Sequence, residues 1–337
     1  GILFLEKCMK KLGIIICGLV LVMGCQRNVY RFSEGSVYGT VYHVSYQSEM
    51  DYAVEIRQEM ERVNRSLSMF NKNSVIAQWN RGESEQVDSL FVAMYEKARE
   101  VNEVTGGAFD VTVAPLVNAW GFGFKNEKLP SDEKIDSLLQ YVGMDKVQLE
   151  GERLVKLVEG VQMDASSIAK GLGVDLVAEF FDRKGVQNYM IEIGGEIRVK
   201  GESNKRRPWH IGVDKPIDDA TAANRELQLV LALREGALAT SGNYRRFYVV
   251  DGKKYSHTIN PRTGYPVQQD ILGASVYAPT CMEADAYATA FMVLGTEESK
   301  KIVLDNPHIE ACFIYQNKQG EREVWMSDRL KTLVLEE

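Results

Sequence analysis

Apolar residues recur at helical spacing in two early stretches of the chain. Ile56, Met60, Val63 and Leu67 fall on one side of a helix over 52–67, and Leu90, Met94, Ala98 and Val101 do the same over 87–104, ahead of Gly106 and Gly107. Both patterns predict amphipathic helices facing a core. Ser131-Asp132-Glu133-Lys134 opens a third, short helix, 166–184 reads as a fourth, and Ala284–Ala290 falls on another. Elsewhere the pattern is short and β-like: 36–46, 145–164 in pieces, 188–200, 209–214, 226–234, 245–256, 271–278, 309–316 and 321–326. Turn pairs such as Asp251-Gly252 and Gln319-Gly320 suit antiparallel hairpins better than parallel crossovers. The expected class is α+β, antiparallel sheets packed with helices. No low-complexity linker interrupts it, so any two lobes are fused through the sheet.

The N-terminus breaks this pattern. Lys10-Lys11 precede an apolar run from Leu12 to Val22, closed by Met23-Gly24-Cys25. A bilayer core of about 30 Å needs roughly 20 apolar residues, so this run is too short to span it. Residues 1–24 are expected to be a signal peptide, with 1–8 upstream of a Met9 start. Val22-Met23-Gly24-Cys25 resembles the bacterial lipobox, which implies that Cys25 is lipidated and begins the mature protein. On that reading 25–35 is a lipidated tether, 36–337 is the functional domain, and the protein is anchored to a bacterial cell membrane facing the periplasm or exterior. An ordinary signal peptide with an incidental cysteine is the alternative.

Charge and cysteine usage narrow the chemistry. With 47 acidic against 40 basic residues and no sustained basic stripe, the chain does not look like a nucleic-acid binder. Lys205-Arg206-Arg207 reads as a solvated turn. Beyond Cys25 only Cys281 and Cys312 remain, without CxxC or Cys/His spacing, so a metal would have to be held by oxygen.

Three stretches combine small, polar and charged residues more densely than an ordinary core. Gly106 to Gly123 places Asp110 after a helix end and then an aromatic cluster, which fits either a pocket for a planar ring or a helix cap followed by buried aromatics. Met163 to Gly171 runs a strand into a helix whose start carries Asp164, Ser166, Ser167 and Lys170, which suits either an anion site or simple capping. Asp285 and Thr289 stand four apart on one helical face, a small oxygen donor set for Mg²⁺ or an unremarkable surface pair. A fourth stretch, YSHTINPRTGYP from Tyr255, sets His257 in a loop shaped by Pro261 and Gly264.

Taken in order, FDVTVAPLVNAWGFG, DASSIAKGLGVD, YMIEIGGEIRVKG, LATSGNYRRF, SHTINPRTGYP and ADAYATAFMVLG resemble the ApbE family of FAD:protein FMN transferases, from Tyr38-Gly39-Thr40 to about Gly295. The resemblance implies a T-fold-like architecture. It also implies Mg²⁺-dependent transfer of FMN from FAD to a Thr or Ser hydroxyl of a target protein, with release of AMP. The partners implied are FAD and an acceptor with an exposed Thr/Ser motif, expected to be a membrane-associated redox subunit.

By the same resemblance Asp285 and Thr289 are metal ligands, with Ser167 supplying another oxygen. Ala108, Phe109, Asp110, Asp164, Lys170 and Ile259 fall at FAD-contact positions, and Phe70 falls where an aromatic flanks the flavin. Tyr38 falls at a further cofactor-binding position, where the family often has Met, and Asn260 stands where it often has Asp. Asn is no general base, so the proton-accepting role moves toward His257. A FAD pyrophosphatase and a lipid-anchored FAD-binding carrier are the alternatives.

Overall fold

The computed structural model describes residues 29–122, 129–215, 227–243, 247–250 and 253–335. The expected signal peptide, Cys25 and Gly123 lie outside them, as do Tyr244–Arg246 and Asp251-Gly252. The first elements are a hairpin, β1 (Tyr30–Val37) and β2 (Thr40–Gln47), where a single run over 36–46 was expected. The reversal falls at Tyr38-Gly39, with φ of +52° and +73°. Residues 30–35, read from the sequence as tether, therefore belong to the fold: their backbone is paired with β2.

Helices α1 (Ala53–Leu67), α2 (Val75–Asn80) and α3 (Ser89–Val104) follow. The apolar stripes of α1 and α3 are buried as their spacing predicts. Ser74 and Asp88 cap α2 and α3 by accepting from Ala77 N (3.1 Å) and Phe91 N (2.9 Å), each cap worth about 1 kcal/mol. Next come α4 (Ala114–Ala119), α5 (Asp132–Leu139) and the hairpin β3 (Val147–Glu150)–β4 (Arg153–Lys156). Helix α6 (Ala169–Arg183) begins three residues later than the pattern suggested, because Asp164–Ile168 is engaged in a turn.

The remainder is β5 (Tyr189–Ile193), β6 (Glu196–Lys200), β7 (Trp209–Asp214), β8 (Leu227–Leu233), β9 (Glu235–Gly242), β10 (Phe247–Val250), β11 (Lys253–Ser256) and β12 (Ile271–Ala278). Helices α7 (Cys281–Leu294) and α8 (Thr296–Asp305), strands β13 (Glu310–Gln316) and β14 (Arg322–Met326), and the short α9 (Asp328–Lys331) end the chain. Eight strands form one antiparallel sheet in the order β1-β2-β5-β6-β9-β12-β13-β14. Three two-stranded hairpins, β3-β4, β7-β8 and β10-β11, flank it.

Helix α6 packs against β5 and β6, while α7 packs against β9 and β12. Helix α7 is buried on nearly every side, which its run of alanines permits. The main cores join α3 and α7 to the central strands, and α1 and α6 to β2 and β5. A third cluster lies under β7-β8, and a fourth, small one gathers Leu116, Trp120, Ile135, Val142 and Ile259. No helix among the described residues is long and apolar enough to cross a membrane.

Candidate active site

The first turns of α6 and α7 meet at Gly171. A Cβ there would lie 2.4 Å from the Cys281 carbonyl oxygen, so only glycine lets the helices approach this closely. The approach lets Gly171 N donate to Asp285 Oδ2 at 3.0 Å. One turn further along α6, Asp175 accepts from Cys281 N (2.9 Å) and Met282 N (2.8 Å), capping α7 from outside, and pairs with Arg198 at 2.6 Å. Lys170 pairs with Glu196, which follows the Gly194-Gly195 turn.

Three buried carboxylates, Asp175, Glu196 and Asp285, thus face two cations, Lys170 and Arg198. Burial pushes the Asp285 carboxyl up to about 8; Glu196 adds to the rise and Lys170 opposes it. Burial pulls the Lys170 ammonium down, but Glu196 and Asp285 outweigh it and its pKa is raised. Glu196 Oε2 is buried without a hydrogen-bond partner. Thr289 Oγ1, one turn beyond Asp285, lies 3.5 Å from Ser241 Oγ of β9.

Two loops approach the start of α6, each pinned by an asparagine. From the last turns of α3, Asn102 Nδ2 donates to Phe109 O (2.7 Å), and Phe109 N donates to Thr105 Oγ1 (3.2 Å). At the end of α2, Asn80 Nδ2 donates to Met163 O and Asn80 Oδ1 accepts from Met163 N, both at 2.8 Å. The loops are stitched together by Asp164 N donating to Val111 O at 2.8 Å. Asp110 Oδ1 accepts from Thr112 N and Oγ1, yet burial still pushes its carboxyl up to about 6. Asp164 Oδ1 accepts from Ser166 N (2.8 Å), the capping use open from the sequence. Ser167 lies in this same turn ahead of Lys170.

The His257 loop is anchored on the small fourth core. Trp120 Nε1 donates to Gly264 O (2.8 Å), and the isolated bridge Ile259↔Pro266 closes the loop. Asn260 Oδ1 accepts from Arg262 N at 2.9 Å, so this side chain holds the turn. The half-buried His257 imidazole meets Phe122 edge-on, ring centroids 6.5 Å apart.

The structure therefore brings Lys170 and Asp285 together, with Thr289 on the next turn of α7. It joins Ala108, Phe109, Asp110 and Asp164 through paired loops, and leaves Phe70 77% exposed. Ile259 is buried in the fourth core. Tyr38 is otherwise engaged: its hydroxyl donates to Met60 O at 2.6 Å and its ring covers Gly173. Glu196 is absent from the residues singled out by sequence, although the Gly-Gly-Glu of YMIEIGGEIRVKG marks a tight turn delivering a carboxylate. Asp175, Arg198, Asn80 and Asn102 carry no comparable local signal. Cys281 and Cys312 are buried free thiols. Among the described residues no three His, Cys, Asp or Glu side chains gather as a metal site, so any ion here needs hydroxyl, carbonyl or substrate oxygens as well.

The ApbE family profile matches residues 38–313, and the chain belongs to that family. Among curated relatives, a FAD:protein FMN transferase of Haemophilus influenzae is 37% identical over 319 residues, 88% of this chain and 91% of that protein. The Vibrio cholerae protein of the same name is 34% identical over 322 residues, 92% and 95% of the two chains. Among solved structures, the flavin transferase ApbE from Vibrio cholerae superposes with a TM-score of 0.82 at 34% identity, covering 90% of this chain and 99% of its own. The ApbE protein from Thermotoga maritima gives 0.79 at 29% identity, with coverages of 91% and 100%. Both share the α+β architecture of antiparallel sheets and helices found here.

Proposed function

We propose that this chain transfers FMN from FAD to a Thr or Ser hydroxyl of a target protein and releases AMP. The observation that carries the reading is the convergence of Asp285, Lys170 and Glu196 where α6 and α7 meet, with the loops of Asp110 and Asp164 leading into the same helix start. In the reaction the acceptor oxygen bonds to the FMN-side phosphorus as the bond to the AMP-side bridging oxygen breaks. AMP takes up the leaving oxygen's charge and the hydroxyl proton passes to a base.

Mg²⁺ fits this donor set. Asp285 is a buried carboxylate whose ionised form lacks full compensation, Thr289 adds a hydroxyl, and Ser167 offers an oxygen in the turn before α6; all are hard oxygen donors. When bound there, Mg²⁺ would neutralise diphosphate charge and align the displacement. Lys170, held by Glu196, supplies a fixed positive charge. The backbone clamps on Phe109 and Met163 hold the flavin-nucleotide loops, and Phe70 offers an exposed ring for stacking. His257 accepts the acceptor's proton, its ring set by Phe122.

The chain acts at a bacterial membrane, lipidated at Cys25 and facing the periplasm or exterior, on a membrane-associated redox subunit. The test incubates the protein with FAD, Mg²⁺ and a Thr-containing acceptor and weighs the acceptor. A gain of one FMN phosphoryl group with stoichiometric AMP is expected. An unmodified acceptor with AMP and free FMN accumulating would make the chain a pyrophosphatase, and unaltered FAD would make it a carrier.

A further inference from the structure

The Lys205-Arg206-Arg207 cluster lies at the end of the sheet where the chain enters from its N-terminus. Tyr30, the first residue of β1, donates its hydroxyl to Glu202 O (2.7 Å) and meets Trp209 edge-on. Arg31 donates to the carbonyls of Ser48 and Glu49, and Gln47 N donates to Asn188 O. The starts of β1, β5 and β7 and the ends of β2, β6 and α6 thus share one rim.

The loop between β6 and β7 is built rather than loose. Ser203 N donates to Arg207 O (2.9 Å), and Arg206 N donates to Ser203 O (2.8 Å). Arg206 sits at φ +56°, a left-handed conformation that costs a non-glycine residue about 1–2 kcal/mol. The result is three consecutive exposed cations, none in an ion pair among the described residues. On the same rim Lys184 is exposed, and Met50 presents an apolar side chain at 63% exposure. Lys200 and Arg234 are matched by Asp182 and Glu202, which leaves Arg31, Lys184 and the three loop cations against Glu49, Asp51 and Glu235. This rim is basic on a chain of net charge −7.

We propose that this rim is the surface by which the protein rests on an anionic lipid bilayer. The inference rests on the anchor at Cys25 proposed above. Four residues separate Cys25 from Tyr30, and the five steps between them span at most about 17–18 Å, so an acylated Cys25 holds this end of the sheet near the headgroups. A lipid chain combined with a basic patch is a stable two-part anchor. Helix α6 then acts as a spacer: Lys184 follows its last turn at the rim and Lys170 lies in its first turn at the site, about 21 Å apart along the helix axis. The Lys170–Glu196 pair stands four residues along β6 from Lys200 at the rim, so the acceptor hydroxyl must be presented about 13 Å above the lipid surface.

The test uses the full acylated chain in phosphatidylcholine vesicles with and without phosphatidylglycerol, containing headgroup-quencher lipids. A fluorophore is placed at Asn204→Cys, in the basic loop, or at Ser36→Cys, toward the opposite end of β1; both positions are exposed, while Cys281 and Cys312 are buried. Strong quenching at Asn204→Cys, little at Ser36→Cys, and enhancement by phosphatidylglycerol are expected. The triple variant K205E/R206E/R207E should lose that enhancement while modifying a soluble acceptor at the unaltered rate. Equal quenching at both positions, or quenching indifferent to phosphatidylglycerol and to charge reversal, would overturn the proposal and leave the loop for an acidic protein partner. Mass analysis of the N-terminal peptide tests the anchor separately. If Cys25 carries no acyl group, the same titration judges the rim alone: lipid-dependent quenching sustains it and its absence ends it.

Discussion

Gly171→Ala is the most informative single substitution in this protein. The added methyl would lie 2.4 Å from the Cys281 carbonyl oxygen, 2.7 Å from its carbon and 2.8 Å from Met282 Cα. Ordinary non-bonded contact begins near ~3.5 Å, so the two helices must part by about 1 Å, and no rotamer relieves a clash with backbone. Overpacking of this kind costs about 1–3 kcal/mol, while alanine returns up to about 1 kcal/mol of helix propensity. The net loss of stability is small. The geometric loss is not, because the same shift breaks the Gly171–Asp285 bond and disturbs the Asp175 cap. A displacement of about 1 Å at a reacting centre costs on the order of 10²-fold in rate.

The expectation is therefore a roughly 100-fold fall in acceptor flavinylation at saturating FAD, with a melting temperature lowered by only a few degrees. Gly173→Ala is the control. Its methyl would meet the Tyr38 hydroxyl at 2.8 Å and ring at 2.9 Å, so Tyr38 must give up its bond to Met60 O at a cost of about 0.5–1.5 kcal/mol; the α6–α7 contact is untouched and activity should change little. A Gly171→Ala protein with an undiminished rate would refute the assignment of the α6–α7 contact to the site.

His257→Asn should lower kcat by about 10²–10⁴-fold and leave FAD affinity unchanged, as a lost general base does; flavin fluorescence titration beside steady-state rates checks this. Replacing Asn80 by Leu leaves the buried N–H and C=O of Met163 without partners at about 1–3 kcal/mol each, and should weaken FAD binding by loosening the Asp164 loop, read by calorimetry. Asp285 makes stability depend on pH. With its carboxyl pushed up to about 8, the metal-free fold retains a proton that the unfolded chain has released above the ordinary carboxylate range. That contribution falls as pH rises from about 4 to about 8. Wild type should lose melting temperature across this window relative to Asp285→Asn, and Mg²⁺ should restore it; parallel metal-free curves would contradict the burial argument.

Periodicity located the α1 and α3 core faces residue by residue, because an amphipathic helix writes its burial into local spacing. It did less well where tertiary pairing decides. Strand β9 is hidden in EGALATSG, a stretch of small and polar residues that becomes a strand because β6 and β12 flank it. Residues 30–35 looked like linker because β1 is an edge strand with much of one side exposed. At the candidate site the motifs single out Asp285, Thr289, Lys170 and the two loops. They did not give the groups that position them: Asp175 reaches α7 across 106 residues, and Asn80 reaches Met163 across 83. Such partners are set by the fold's geometry and leave no periodic trace.

Neither of the two loops ahead of α6 owns its own shape. The backbone of Phe109 is fixed by side chains of α3, and that of Met163 by the last residue of α2, helices whose remaining surfaces are committed to the main core. The loops are accordingly poor modules. Transplanted as short peptides into another scaffold they would lose their conformation, and altering the length of the Met163 loop would strain α2, 83 residues earlier in the chain. Re-engineering nucleotide preference in this protein is better pursued through side chains at fixed loop length, leaving Asn80 and Asn102 as they are.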